Sequence, residues 1–143
     1  YVIFLSGEVC MNKVVPVKEA MLLCDSIITE IGTNKKSLIG IFENIPAIKF
    51  PCLHFRLGVY IKFTNAEGKY NFKLELLDLE KNQIIGQGNI PELGIPDRLG
   101  SYELVFNLEG LAFNHPGKYD FRVSYDDMIF ANKTFNVIEL KCS

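Results

Sequence analysis

The stretch from Leu108 to Tyr125, Leu-Glu-Gly-Leu-Ala-Phe-Asn-His-Pro-Gly-Lys-Tyr-Asp-Phe-Arg-Val-Ser-Tyr, constrains the fold of this chain more than any other. It reads as a strand, a corner and the next strand of a β-sandwich. Gly110 interrupts the first run and Pro116-Gly117 turns the chain. Beyond the turn, Tyr119, Phe121 and Val123 alternate with Lys118, Asp120, Arg122 and Ser124, the period of two that sends successive side chains to opposite faces of a sheet. These residues speak to architecture and name no chemistry.

The same period recurs along the chain. Met21 to Glu30 is apolar with β-branched Ile27, Ile28 and Thr29, breaks at Gly32-Thr33-Asn34-Lys35-Lys36, and resumes from Ser37 to Ile45. This pattern predicts a hairpin over residues 20–45. Pro46 and Pro51 predict a crossing between strands. From Leu53 to Thr64, apolar Leu53, Phe55, Leu57, Val59, Ile61 and Phe63 fill one side, and Asn65-Ala66-Glu67-Gly68 turns the chain into alternating Tyr70, Phe72, Leu74 and Leu76. A second hairpin is expected there. Asp78 to Asn82 reads as a turn before a short strand, Gln83 to Gln87. Residues 86–100, with four glycines and two prolines, are expected to form a long loop. Strands follow at Ser101 to Leu108, Lys118 to Tyr125 and Met128 to Ile138, the last two joined at Asp126-Asp127. The fold class expected is all-β, a single antiparallel sandwich of about 7–8 strands.

The chain has 143 residues, one domain's worth, and is long enough to bury a proper core without metal or disulfide staples. With 15 Lys and Arg against 17 Asp and Glu, scattered singly or in pairs, it shows no electrostatic footprint for nucleic acid. No apolar run reaches the 18 or so residues of a spanning helix, so a soluble protein without membrane insertion is expected. Residues 1–12 read as an N-terminal extension or fragment end, with Met11 favoured over Tyr1 as the start, and residues 13–143 as the domain. A cytoplasmic location is favoured. Cys10, Cys24, Cys52 and Cys142 lack the spacing of a zinc knuckle or redox pair and read as free thiols, with a Cys24 to Cys52 bridge as the alternative.

Two resemblances stand on particular residues. Leu108, Gly110, Leu111 and Tyr119 resemble the tyrosine corner of immunoglobulin and fibronectin type III sandwiches, in which a tyrosine bonds back across the turn before its strand. That implies an immunoglobulin-like arrangement of the sandwich. The chain has no Trp and no Cys on the Tyr119 strand, so the inter-sheet disulfide of antibody domains is not implied. Ala20-Met21-Leu22-Leu23-Cys24-Asp25, Leu38-Ile39-Gly40-Ile41-Phe42, Phe50-Pro51, Gly110-Leu111 and Pro116-Gly117-Lys118-Tyr119 resemble an uncharacterised bacterial family of small β-sandwich proteins, over about Ala20 to Val137. The resemblance implies a stand-alone sandwich and carries no catalytic residues.

Cys24 and Asp25 with His54 and His115 are the one set from which a nucleophile, base and orienter could be assembled. Cys24 lies in an apolar strand that should bury it as a thiol, so no catalytic residue is assigned and the chain is expected not to be an enzyme. Asp25, Asp78, Asp97, Asp126 and Asp127 could meet at one end of the sandwich around calcium, but lack calcium-loop spacing. No metal or cofactor is expected. The Thr33 to Lys36 tip reads as a solvated turn, and Gly86-Gln87-Gly88 lacks the helix a phosphate loop needs. The candidate partner-binding residues are Ile90, Leu93, Ile95 and Leu99, apolar side chains in a segment expected at the surface, with capping of the sandwich core as the structural alternative. The expected function is protein binding or self-association. The alternative is a carbohydrate or small-ligand binder using Tyr60, Tyr70 or Tyr102, and a hydrolase built on Cys24 ranks third.

Overall fold

The computed structural model of the chain describes residues 14–141. Ten strands follow in order: β1 (Val17–Cys24), β2 (Ser26–Thr29), β3 (Lys36–Ile39), β4 (Asn44–Ala47), β5 (Cys52–Thr64), β6 (Gly68–Asp78), β7 (Gln83–Ile95), β8 (Tyr102–Phe113), β9 (Gly117–Tyr125) and β10 (Met128–Glu139). They form a three-stranded sheet, β1-β5-β8, a five-stranded sheet, β4-β10-β9-β6-β7, and the small β2-β3 hairpin. Every ladder is antiparallel except β4 with β10, which is parallel. No helix among the described residues is long and apolar enough to cross a membrane.

The inward residues of the two large sheets make the core. Phe63 of β5 meets Phe72 of β6 at 5.4 Å, and Phe113 of β8 meets Tyr119 of β9 edge-on at 4.9 Å. Aromatic pairs at such separations add about 0.5–1.5 kcal/mol beyond the area they bury. The corner between β8 and β9 closes as its residues imply: the Tyr119 hydroxyl donates to the His115 carbonyl at 2.6 Å. Tyr70 performs a similar service at the other end of the sandwich, accepting from the Glu67 amide and donating to the Val14 carbonyl.

Five expectations are corrected. Among the described residues the strand count is ten, because the first apolar run is cut at Asp25 and the second between Ile39 and Asn44. Residues 17–24 pair with β5, and only 26–39 form a hairpin. Pro46 lies within β4, at the edge of its sheet, where a missing N–H leaves no ladder bond unmade. The turn at Asn65 to Gly68 does not make a hairpin. It carries the chain from one sheet to the other, so that the apolar faces of β5 and β6 oppose each other across the core.

The fifth correction concerns residues 86–100. β7 continues through them to Ile95, paired with β6 along its whole length. Register shifts opposite Tyr70–Phe72 and Leu76–Leu77 absorb the irregular backbone, and the edge position tolerates Pro91. The glycines have a packing role: a Cβ on Gly86 would sit 3.2 Å from Leu111 Cδ2, and one on Gly88 3.2 Å from Phe106 Cδ1. Bare backbone lets β7 lie against the inward side chains of β8. Gly88→Val is therefore expected to destabilise the fold by about 1–3 kcal/mol through overpacking, read as a lower denaturant midpoint with an unchanged m-value.

Candidate functional site

An apolar face lies exposed at the β4–β5 crossing. Its origin is a change of phase within the central ladder of the smaller sheet. Along β5, Cys52 and His54 point partly inward, but the buried positions then become Leu57, Val59, Ile61 and Phe63. Along β8 the inward set Leu104 and Phe106 gives way to Leu111 and Phe113. The two strands keep one register throughout, with His54 opposite Leu111 and Leu57 opposite Leu108, so both turn over together where Gly110 adopts φ 67°. Leu53 and Phe55 are thereby turned out, 74% and 77% exposed. The unbroken apolar side read from Leu53 to Phe63 is thus split between solvent and core.

Ile48, 64% exposed, and Leu53 border a shared cleft of about 420 Å³ with Pro46 and Pro51, and Lys49 stands on its rim. A second cleft of about 380 Å³ shares Pro46, Cys52 and Leu53 and extends to Asp25, Phe42 and His54. The His54 ring packs against Phe42 with centroids 5.9 Å apart, and its Nε2 lies 3.9 Å from Asp25 Oδ1. Burial pushes the His54 imidazole below its ordinary value, against the pull of Asp25. The rim is therefore neutral at His54 and acidic at Asp25. Single exposed apolar residues are ordinary, whereas neighbours aligned on clefts are a feature of interaction surfaces.

Sequence reasoning singled out other positions. Ile90 and Leu93 pack against the core as partly buried residues of β7, and Ile95 is buried. Leu99, in the β7–β8 connection, is 93% exposed. Tyr70 is fully buried, Tyr60 bonds Glu103, and the Tyr102 hydroxyl donates to the Asp97 carbonyl at 2.8 Å, so the three tyrosines present no aligned platform. Nothing in the alternation of β5 signals the phase change that exposes Leu53 and Phe55. Gly110 was the available clue, and it lies on the partner strand.

The nucleophile set is only partly brought together: His54 meets Asp25, whereas His115 is held at the β8–β9 corner. The Cys24 thiol is buried, donates to the Ser26 carbonyl at 3.4 Å, and is pushed up first by burial. Cys24 pairs with Gly58, six residues along β5 from Cys52, or about 20 Å at the rise of a strand. No disulfide spans that distance, and Cys24 and Cys52 are both free. Cys24 is expected to resist iodoacetamide in the native state and to react on unfolding, as read by peptide-mapped alkylation. The aspartates considered for calcium are separated: Asp78 and Asp126 lie at opposite ends of the β6–β9 ladder, and among the described residues no group of three or more His, Cys, Asp or Glu is placed to hold a metal ion.

His115 is held elsewhere, in a charged cluster at the corner. Its Nε2 lies 2.6 Å from Asp78 Oδ2, and its Nδ1 lies 2.8 Å from the Pro116 carbonyl and 3.2 Å from Glu80 Oε1. Its side chain is mostly buried. The Pro116 carbonyl and Asp78 raise the His115 imidazole above its ordinary 6.5, overcoming burial. For Asp78 burial works upward, but the His115 bond and the amides of Lys81 and Glu80 together hold it below 3.8. The histidine's stabilisation is complete below pH 6.5 and fades as pH rises through its raised midpoint; the aspartate's is complete above 3.8 and fades as pH falls through its lowered one. The excess melting temperature of wild type over His115→Gln is therefore expected to be greatest between those two values and to shrink on either side.

The chain belongs to the family of unknown function DUF6941, whose model matches residues 19–138, nearly the span over which the sequence resembles an uncharacterised sandwich family. No curated protein matches it. Among solved structures it is similar to an immunoglobulin-like protein from Pseudomonas aeruginosa, at 17% identity and a TM-score of 0.45, over 85% of this chain and 95% of that one.

Proposed function

We propose that this chain is a non-catalytic protein-interaction module whose docking face is the apolar surface formed by Ile48, Pro51, Leu53 and Phe55. The observation that carries this reading is the joint turnover of β5 and β8, which directs Leu53 and Phe55 to solvent, with Leu53 lining clefts of about 420 and 380 Å³. A partner side chain, aliphatic or aromatic, entering such a cleft would shed water from both surfaces, at about 25 cal/mol for each Å² of apolar area buried. Lys49 and Asp25 on the rims provide opposite charges that orient the partner, while the apolar centre supplies the affinity. The scattering of Cys24, His54 and His115 is consistent with a binding role.

The Leu53→Ser/Phe55→Ser double variant tests this reading. Both side chains are solvated, so stability should change by less than about 1 kcal/mol. A protein captured by the wild type and lost by an equally stable double variant supports the face as the docking site. Equal capture by both would place the interaction elsewhere, with Leu99 and the β7–β8 connection the next surface to alter.

A further inference from the structure

The cluster at the β8–β9 corner holds more than a stabilising ion pair. Both ring nitrogens of His115 face only acceptors: the Asp78 carboxylate at Nε2, and the Pro116 carbonyl and Glu80 carboxylate at Nδ1. A neutral imidazole has one N–H and one bare lone pair. Whichever nitrogen gave up its proton would point that lone pair at an oxygen. The arrangement is complete only for the imidazolium.

We propose that His115 is a proton-controlled clasp that holds the β6–β7 turn, residues 79–82, onto the β8–β9 corner and releases the Glu80 side of that contact when it loses a proton. The two sides are unequal. Asp78 is buried and fixed by the Glu80 and Lys81 amides, which donate to its Oδ1 at 3.0 and 3.1 Å. The 2.6 Å bond to Nε2 therefore keeps the remaining proton, and Nδ1 is left bare. Glu80 is the movable partner: its carboxylate is more than half exposed and rests over Gly117, where a Cβ would come within 2.7 Å of its Oε2. Repulsion between the bare Nδ1 and the two oxygens beside it lifts Glu80 off that seat and strains the Pro116 carbonyl. The corner itself stays tethered by the Tyr119 hydroxyl at the His115 carbonyl.

Groups from every neighbouring element enter this balance. Asp78 comes from β6 and Glu80 from the turn; Tyr119 of β9 stacks its ring on the imidazole at 5.5 Å. The Tyr119 hydroxyl is pushed up to about 12, first by burial and then by Asp78, and Cys52 of β5 adds to the same effect, so Tyr119 stays neutral while His115 titrates. The proposal is independent of the docking face.

Nuclear magnetic resonance of the whole chain tests the clasp through the imidazole nitrogens of His115 and the amides of Leu79, Glu80 and Lys81. The expected result is a His115 midpoint above 6.5, with the turn amides shifting at the same midpoint and the Leu79 amide, which donates to the Lys118 carbonyl, exchanging faster beyond it. Glu80→Gln, at a solvated position, should keep the fold, lower that midpoint and reduce the pH-linked shift of the turn. A midpoint at or below 6.5, turn amides indifferent to the titration, or a Glu80→Gln midpoint unchanged from wild type would overturn it.

Discussion

Phe135→Ala is expected to destabilise the folded chain by about 3–5 kcal/mol, the cost of deleting a large buried aromatic and leaving a cavity that its neighbours only partly fill. Phe135 of β10 is almost fully buried, stacks on Phe121 at 5.4 Å and Tyr119 at 5.8 Å, and meets Phe113 edge-on at 5.9 Å. Those contacts join β9 and β10 of the larger sheet to β8 of the smaller one. The loss therefore reaches the interface between sheets, where the tyrosine corner also sits. Chemical denaturation should show a much lower midpoint, with Phe135→Leu recovering most of the difference because it refills part of the volume. A change under 1 kcal/mol for the alanine variant, roughly that of a solvated position, would mean that the aromatic cluster does not bear the core.

Asp120→Ala is expected to cost about 1.5–3 kcal/mol by a different mechanism, the loss of a buried acceptor that serves several donors. Asp120 is buried on β9, and its carboxylate accepts from Arg122 Nε at 2.9 Å, Thr134 Oγ1 at 2.8 Å and Asn132 Nδ2 at 3.2 Å. Thr134 is its direct neighbour across the β9–β10 ladder, so the network also reinforces that pairing. Alanine removes the shared acceptor of three donors, and because Asn132 and Thr134 are exposed and Arg122 is half-buried, water takes up part of the loss. Asp120→Asn should recover only part of the loss, because one end of its amide presents hydrogens to donors. Equal stability of the alanine variant and the wild type in denaturant titration would show that the donors find other partners at no cost.

What the residues disclosed follows from how local each signal is. The β9–β10 hairpin was legible because alternation, the Asp126-Asp127 turn and the pairing all lie within one contiguous stretch, and both aspartates adopt the positive φ that such turns use. Tyr119 was legible for the same reason, its hydroxyl reaching only four residues back. The turn at Asn65 to Gly68 has equally good turn chemistry, yet it joins different sheets. Composition says that a chain reverses, whereas partner choice is decided by strands far away in sequence. The start of β7 reads as a strand, but its continuation past Gln87 reads as a loop because glycine and proline usually break strands; here the glycines admit Leu111 and Phe106, and the proline sits on an edge.

The candidate site was least legible because it arises from two strands acting together. Leu53 and Phe55 continue the pattern of Leu57 to Phe63 without interruption, and only the coordinated turnover opposite Gly110 separates them. The His115 clasp draws on Asp78, thirty-seven positions away, with no spacing to announce it. Both features are properties of the assembled sandwich.

The central claim, that the face around Leu53 and Phe55 is a docking surface for protein, is tested most directly by site-specific photo-crosslinking in the native host. One copy carries the crosslinker at position 55 and another at position 127, an exposed aspartate in the β9–β10 turn at the opposite end of the sandwich. The account predicts a discrete protein adduct from position 55 that disappears with Leu53→Ser and is absent from position 127. The same adducts from both positions, or none from position 55 while 127 yields one, would contradict it.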